Sequence, residues 1–482
     1  MTRALLLFCF SLVAFTRVSA EVRLPAILSS NMVLQRNTTA MLWGWAEAGE
    51  EITIRLSWQK KPLKVTADAS GRWKVGVVTT DARDAQRIEF TCAHTTLSLV
   101  NVLFGEVWLC SGQSNMQQPL KGFPGQPTLG GNEAIAKSGN PNLRLFTVGK
   151  MGAEIPLDDL GQYTPWQEAS PQNAADFSSV AYFFGQQLQE ILDVPVGLIH
   201  ASWGSSSIQT WMSRESLGSI QSIKMGQEDA KTKGNMVPTA LFNGMIHPLI
   251  PFTVKGMIWY QGEANRAEPE RYKKLFPAMV ADWRARWAIG DFPVFFVQIA
   301  TFPYGRPNAF QQTNNSAFMR EAQVACVDLI NNSGIAITLD LGDSVAIHPP
   351  KKKEVADRLV YNALSKTYLL KEVDGTSPQF DTLLFKDDKL LLKFKYAGNG
   401  LYAPNGLQGF EIAGNDRVFY PANAKIVNER DVLVWSDRVP EPKAVRYAWR
   451  NWTRGSLYDA SMLPASSFRT DDWEDATLVN EK

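Results

Sequence analysis

Between residues 106 and 370, short apolar segments alternate with longer segments whose hydrophobic residues recur at helical spacing. The apolar segments are continuous rather than alternating with polar residues, which is typical of parallel strands covered on both faces. The predicted strands cover residues 107–110, 194–200, 254–260, 294–299 and 335–341. A repeated strand–helix order allows few folds, and it predicts an α/β layer built on a doubly wound parallel sheet.

The helices between these strands are predicted from apolar residues spaced by three and four. One stripe starts at Val180 and ends at Leu192, and a second runs from Tyr272 to Trp287. Two further helices are predicted over residues 316–330 and 353–369. The segment 119–165 is rich in Gly and Pro and is long for a strand–helix connection, so we expect it to be functional or to cover the site.

Short strands separated by turn residues flank this layer on both sides. Residues 21–105 predict a small antiparallel β-sandwich module, because several of their strands alternate apolar and polar residues. A polar linker near residue 374 introduces a second β-rich module that occupies residues 371–482. The α/β layer of residues 106–370 therefore lies between two β modules.

The first twenty residues have the pattern of a signal peptide. Arg3 supplies the charge, residues 4–15 the apolar core and residues 18–20 a small-residue cleavage site. The core is too short to span a bilayer, and no later segment reaches about 18 apolar residues, so no membrane anchor is expected. We expect export to a periplasmic or extracellular space.

Charge and cysteine content narrow the possible partners. The chain has 49 Lys plus Arg and 48 Asp plus Glu, a net charge of +1, which gives no reason to expect a nucleic acid or a membrane surface as partner. Beyond the predicted signal peptide lie Cys92, Cys110 and Cys326, at most one pair, and buried free thiols are expected. No His/Cys cluster has zinc-binding spacing, so no metal or other cofactor is predicted.

The sequence Gly-Gln-Ser-Asn, residues 112–115, follows the first predicted α/β strand. It puts Ser114 on a tight turn at the carboxyl end of that strand, where open α/β sheets hold their chemistry. Most serines in such turns satisfy backbone groups. Ser114 stands out because the chain offers few bases, and we interpret it as a nucleophile.

A serine nucleophile needs a base, and histidine is the usual one. The chain contains 4 histidines: His94, His200, His247 and His348. His348 follows the last predicted strand, and the loops after the first and last strands open on the same edge of a doubly wound sheet. We therefore predict His348 as the base and structural roles for the other three.

The partner that orients the His348 imidazole is predicted to be Asp343, five residues earlier in the same loop. Asp340 and a backbone carbonyl are the alternatives. Activity should then fall below a pH near ~6.5, the ordinary pKa of histidine, as the base becomes protonated.

Donors for a developing oxyanion are predicted in three loops at the same sheet edge. The first offers the backbone amide of Ser114, and the second offers Gly204 in the turn after the second strand. The third follows the third strand, where the side-chain amide of Gln261 or Asn265 is expected to point into the site.

With these residues assembled, the chain resembles the sialate O-acetylesterase family of SGNH-type hydrolases. The motifs that carry the resemblance within the layer are VWLCSGQSNM at residues 107–116, WYQGEAN at 259–265 and IHP at 347–349. Further similar segments lie at residues 30–36, 43–45, 409–414, 444–449 and 464–471, so the resemblance covers nearly the whole chain after residue 20.

This resemblance implies an SGNH-hydrolase-like fold and a serine esterase that removes O-acetyl groups from sugars, with sialic acid as the name-giving substrate. It also implies that Ser114 is the nucleophile and His348 the base. Two positions depart from the family pattern: Ser205 replaces a second glycine, and Val345 stands where an aspartate often precedes the histidine by three. Acetylated xylan or another plant glycan is an alternative substrate, and a non-catalytic glycan-binding protein is an alternative of another class.

Overall fold

The computed structural model of the protein describes residues 21–93, 95–220, 234–304, 315–473 and 477–478. The predicted signal peptide and His94 lie outside these residues. The amino-terminal strands are β1 (Val33–Gln35), β2 (Thr39–Trp45), β3 (Glu51–Leu56), β4 (Leu63–Thr66), β5 (Arg72–Val78), β6 (Gln86–Thr91) and β7 (Thr96–Gly112).

The middle of the chain carries the helices and the strands between them. Its strands are β8 (Asn140–Val148), β9 (Tyr163–Ala169), β10 (Val196–Ser202), β11 (Gly256–Tyr260), β12 (Val294–Val297) and β13 (Ser333–Ala336). Its helices are α1 (Ser114–Gln117), α2 (Gly131–Ala136), α3 (Pro171–Ala175), α4 (Ser179–Leu192), α5 (Arg214–Gly218), α6 (Pro269–Trp287), α7 (Ser316–Leu329) and α8 (Lys352–Lys366).

The carboxyl-terminal part is built from short strands, as predicted. They are β14 (Gln379–Lys386), β15 (Lys389–Lys395), β16 (Leu401–Tyr402), β17 (Phe410–Ala413), β18 (Val418–Pro421), β19 (Asn423–Val427), β20 (Asp431–Trp435), β21 (Ala444–Tyr447), β22 (Tyr458–Asp459), β23 (Phe468–Arg469) and β24 (Thr477–Leu478).

The strand β7 belongs to both the amino-terminal module and the α/β layer. Its first part pairs with β6 and β1, and its last part lies between β10 and β11, parallel to both. Every residue from Val102 to Gly112 is buried. The module boundary predicted between residues 105 and 106 therefore falls inside one strand, and the two regions share a sheet.

The sheet that carries the site runs in the order β13-β12-β11-β7-β10-β8-β9. All neighbours are parallel except β8 and β9, which pair antiparallel. Helices α4 and α8 pack together on one face, and α6 and α7 pack together on the other. Alternate residues of β7 serve the two faces, because Trp108 and Cys110 join the α4–α8 cluster while Leu109 joins the α6 cluster.

The carboxyl-terminal module is tied to the layer through a buried arginine. Arg320 of α7 is fully buried and donates to Ser467 Oγ at 2.8 Å and to the carbonyls of Ala448 and Arg450 at 3.1 and 2.7 Å. Burial lowers the pKa of this guanidinium to about 9. These three hydrogen bonds from one buried cation hold the carboxyl-terminal module against α7.

Cys92, Cys110 and Cys326 are buried free thiols, which confirms that expectation. Within the described residues, no helix is both long enough and apolar enough to cross a membrane.

Candidate active site

The nucleophile turn, residues 112–117, begins where β7 ends against β11. Gly112 has φ 140°, and a Cβ there would lie 2.2 Å from the Tyr260 carbonyl oxygen, so only glycine fits. The Gln113 N–H donates to that same oxygen at 2.9 Å. The chain then enters α1 at Ser114, which is half-buried at the carboxyl edge of the central strand.

The side chain of Gln113 fastens this turn to the loop after β11. Its Oε1 accepts hydrogen bonds from the backbone N–H groups of Gly262 and Ala264 at 3.3 and 3.2 Å. Two of the motifs selected from the sequence are therefore joined directly, although 149 residues separate Gln113 from Gly262.

His348 lies half-buried in the base loop, residues 343–350, between β13 and α8. Its Nδ1 is 2.6 Å from Oε1 of Gln126, and the Phe123 ring packs edge-on at 5.3 Å between centroids. Because an amide oxygen only accepts, Nδ1 carries the proton and Nε2 keeps its lone pair. Burial, and then the positive charge of Lys352, lower the pKa of His348 to about 4.

The carboxylates predicted beside His348 have other partners. Asp343 Oδ1 accepts from the backbone N–H groups of Val345 and Ala346 at 2.7 and 2.9 Å, as short acidic side chains often do in turns. Asp340 forms a two-pronged ion pair with Arg358 at 2.8 and 2.7 Å. The position at Nδ1 is occupied by an amide side chain, so Asp343 shapes the base loop instead of facing the ring.

Gln126 was missed because it lies in the Gly- and Pro-rich segment without periodicity. That segment was expected to be functional or to cover the site, and it does contact the base loop: Leu129 N–H donates to the Pro350 carbonyl at 2.8 Å. No pattern in the sequence selects Gln126 from the other polar residues of the segment.

Gly204, predicted as an oxyanion donor, lies against the nucleophile. A Cβ at Gly204 would come within 3.2 Å of Ser114 Cβ, a tight contact that a glycine avoids. Its N–H, however, already donates to Oε1 of Gln117 at 2.8 Å. The next residue, Ser205, has φ 61°, the left-handed conformation that the family's glycine would adopt more easily.

The two side-chain amides predicted as oxyanion donors hold loops together. Gln261 Nε2 donates to the Ser206 carbonyl at 3.2 Å and to Asn265 Oδ1 at 2.8 Å. Asn265 Nδ2 donates to Gln209 Oε1 at 2.9 Å. Both amides therefore fasten the loop after β11 to the loop after β10. The Ser114 N–H, at the first position of α1, is not used within the helix.

The remaining described histidines have structural surroundings. His200 is buried with its Nε2 2.6 Å from Ser202 Oγ, and burial lowers its pKa to about 3. His247 Nδ1 lies 2.8 Å from the Leu157 carbonyl oxygen.

Asn115 connects nucleophile and base through their neighbours. Its Nδ2 donates to the Ile347 carbonyl at 3.2 Å and to Glu263 Oε1 at 2.5 Å. Its Oδ1 accepts from Lys352 Nζ. Neither Glu263 nor Lys352 was predicted as a site residue from the sequence, and both are buried.

Residues 104–361 match the family described as carbohydrate esterase, sialic acid-specific acetylesterase, a stretch that contains all of these loops. The chain belongs to this family. It is therefore an ester hydrolase, and the motifs around Ser114 and His348 lie inside the matched region.

Curated relatives and a solved structure agree with this assignment. The chain is 30% identical to a sialate O-acetylesterase of Pongo abelii, over 92% of each chain. It is 28% identical to the sialate O-acetylesterase of Mus musculus, over 96% of this chain and 97% of that one. A crystal structure of a carbohydrate acetylesterase from Xanthomonas citri superposes with a TM-score of 0.85 at 35% identity, covering 94% of this chain and 100% of the other.

Proposed function

We propose that the protein is a serine esterase that removes O-acetyl groups from sugars, with sialic acids as the substrate class. The observation that carries this proposal is the Asn115–Ile347 hydrogen bond, which joins the turn that contains Ser114 to the loop that contains His348. The family's description and the names of the relatives support the acetylated sugar as substrate.

In the proposed mechanism, His348 Nε2 takes the proton from Ser114 Oγ as the serine attacks the acetyl carbonyl. The low pKa of His348 keeps the imidazole neutral over a wide pH range, so it is ready to accept a proton. The sugar alcohol leaves with a proton from His348, and water then releases acetate and restores Ser114. The Gln126 side chain holds the ring by accepting from Nδ1–H.

The proposed oxyanion donors are the N–H groups of Ser114 and Gly204. In the structure, Gln117 Oε1 accepts from the Gly204 N–H at 2.8 Å. This amide oxygen therefore lies where we expect the carbonyl oxygen of the substrate to bind. We propose that the acetyl oxygen replaces Gln117 there. Gln261 and Asn265 contribute by holding the two loops in position.

The sialate carboxylate calls for a cation beside the site. Arg320 and Lys352 are buried in other contacts, and Lys353 pairs with Asp357 at 2.8 Å. Arg266, which directly follows the loop that contains Glu263 and Asn265, is half-buried and lies 4.5 Å over the Tyr304 ring. We propose Arg266 as the group that binds the carboxylate.

Few of the cations named above are free to bind a carboxylate. This also favours the second candidate, an acetylated xylan or other neutral plant glycan. Acetate release should be measured side by side on O-acetylated sialic acid and on acetylated xylo-oligosaccharides, with Ser114→Ala as the control. Faster release from the sialic acid supports the proposal, and faster release from the xylo-oligosaccharides supports the second candidate. Binding of either sugar with no release by the wild type would instead indicate a glycan-binding protein.

We also propose that the α/β layer is doubly wound, as the placement of α4 and α8 opposite α6 and α7 supports.

Export through the amino-terminal segment remains part of the proposal. Protease protection of the full-length chain in intact cells, compared with a variant lacking residues 2–20, tests it.

A further inference from the structure

Lys352 differs from its neighbours at the start of α8. Lys351 and Lys353 are exposed, whereas Lys352 is 0% exposed. Its Nζ donates to Asn115 Oδ1 at 2.5 Å and lies 5.5 Å from the Tyr260 ring centroid. Lysine is almost never fully buried unless it is paired, so this position needs an explanation beyond a solvated helix end.

Glu263 is the buried acidic group on the other side of Asn115. It is 6% exposed, and its Oε1 accepts from Asn115 Nδ2 at 2.5 Å. Burial raises the pKa of Glu263 above its ordinary value and lowers the pKa of Lys352 to about 7. One amide side chain therefore bridges a buried amine and a buried carboxyl group, with its oxygen toward Lys352 and its nitrogen toward Glu263.

The bridged groups come from the three loops that form the site. Asn115 follows the nucleophile, Glu263 lies in the loop after β11, and Lys352 begins the helix that follows the base loop. The second hydrogen of Asn115 Nδ2 reaches the Ile347 carbonyl at 3.2 Å, one residue before His348. A shift of the Asn115 side chain would therefore change the positions of both Ser114 and His348.

We propose that Lys352 and Glu263 are positioning residues that clamp the Asn115 side chain from both ends and so hold the base loop against the nucleophile turn. This role lies beyond the proposed ester hydrolysis, although the activity measurements rest on it. The clamp explains why a lysine and a glutamate are both buried beside a serine that needs neither as a proton acceptor.

Electrostatics give the clamp a second effect. The charged groups near His348 are Lys352 on α8, Glu263 across Asn115, and Asp343 in the base loop itself, whose carboxylate caps backbone amides. After burial, the Lys352 charge is the second cause that lowers the pKa of His348. Removing that charge should raise the pKa of His348 and narrow the pH range in which the base is neutral.

The test compares Lys352→Met with Lys351→Met, the same exchange one residue away on the exposed surface. We expect Lys352→Met to lower kcat on a small acetate ester by about 10²-fold, the loss typical of a misplaced reacting group, with little change in KM. The acid limb of kcat/KM should move to higher pH. Lys351→Met should match the wild type in both respects.

Two more variants separate charge from contact and cover a failure to fold. Lys352→Gln can still donate to Asn115 without a charge, so it should shift the acid limb while retaining more kcat than Lys352→Met. In the Lys352→Met/Glu263→Gln double variant, the loss should be smaller than the product of the single losses, because no buried charge is left unpaired. Thermal unfolding identifies the variants that fold.

An unchanged kcat in both Lys352 variants, or losses that multiply in the double variant, would overturn the clamp. If the wild type hydrolyses no ester, the proposed function fails, but the clamp is still tested by NMR, because Lys352→Met should change the backbone amide shifts of Ser114 and His348 and Lys351→Met should not. Unchanged shifts at both residues in Lys352→Met would then overturn the clamp.

Discussion

Oε1 of Gln126 lies 2.6 Å from Nδ1 of His348, in the place where serine hydrolases commonly present a carboxylate. An amide can fix the tautomer of the ring, but it adds no negative charge to stabilise the imidazolium that forms during the reaction. The first prediction follows from this contact. Gln126→Ala should lower kcat by up to about tenfold, the worth of one ordinary hydrogen bond.

The matched control is Asp343→Asn. Its amide oxygen can still accept from the Val345 and Ala346 N–H groups, so kcat should remain close to that of the wild type. A large loss in Asp343→Asn with little change in Gln126→Ala would restore the carboxylate assignment made from the sequence.

The pH profile gives a second prediction. The folded-state pKa of His348 is about 4, below the ordinary value of 6.5, because burial and the Lys352 charge disfavour the imidazolium. The base is therefore protonated, and inactive, only at pH values well below 6.5. The acid limb of kcat/KM on a neutral acetate ester should lie below pH 6.5, whereas a limb at 6.5 would indicate an unperturbed imidazole.

A third prediction concerns Gln117, whose side-chain oxygen accepts a hydrogen bond from the Gly204 N–H in the structure. Gln117→Ala frees this donor, so KM for an acetate ester should stay the same or fall while kcat is retained. Gly204→Ala is the contrasting variant, because its Cβ would come within 3.2 Å of Ser114 Cβ. It should lose activity, and equal activity in Gly204→Ala would contradict the close approach of this loop.

Ser205 allows a fourth prediction, about stability. A left-handed residue other than glycine costs about 1–2 kcal/mol, and a new glycine costs roughly 0.5–1 kcal/mol of unfolded-chain entropy. Ser205 is exposed with φ 61°, so Ser205→Gly should raise the free energy of unfolding by up to about 1 kcal/mol in urea denaturation. Ser207→Gly, in the same loop but with φ −79°, should lower it.

The parts of this protein that sequence could predict are those decided by local periodicity. The helix predicted over residues 316–330 is observed as Ser316–Leu329, and that over 353–369 as Lys352–Lys366. The continuity of β7 was missed because Asn101, with φ 57°, and Gly105 interrupt its pattern, while pairing with neighbours on both sides carries the strand through.

The residues of the site also divide into those that local sequence reveals and those that depend on tertiary contacts. Ser114 and His348 could be selected because their residue types are chemically distinctive and rare at strand ends. Gln126 and Lys352 could not, because their roles depend on partners 222 and 237 residues away. A lysine among three in a row gives no local sign of which one is buried, since burial is decided by tertiary packing.

The fifth prediction tests the substrate through Arg266. Because its guanidinium lies over Tyr304 and makes no ion pair within the described residues, it can bind a carboxylate without losing another anion. Arg266→Ala should raise KM for O-acetylated sialic acid by about tenfold or more, as expected for a charged hydrogen bond, and leave a neutral acetate ester unaffected. Arg271→Ala is the control, since Arg271 of α6 pairs at 2.8 Å with Glu268, the residue that precedes the helix. Equal losses on both substrates would mean that Arg266 supports the loop fold, and no loss on either would remove it from carboxylate recognition.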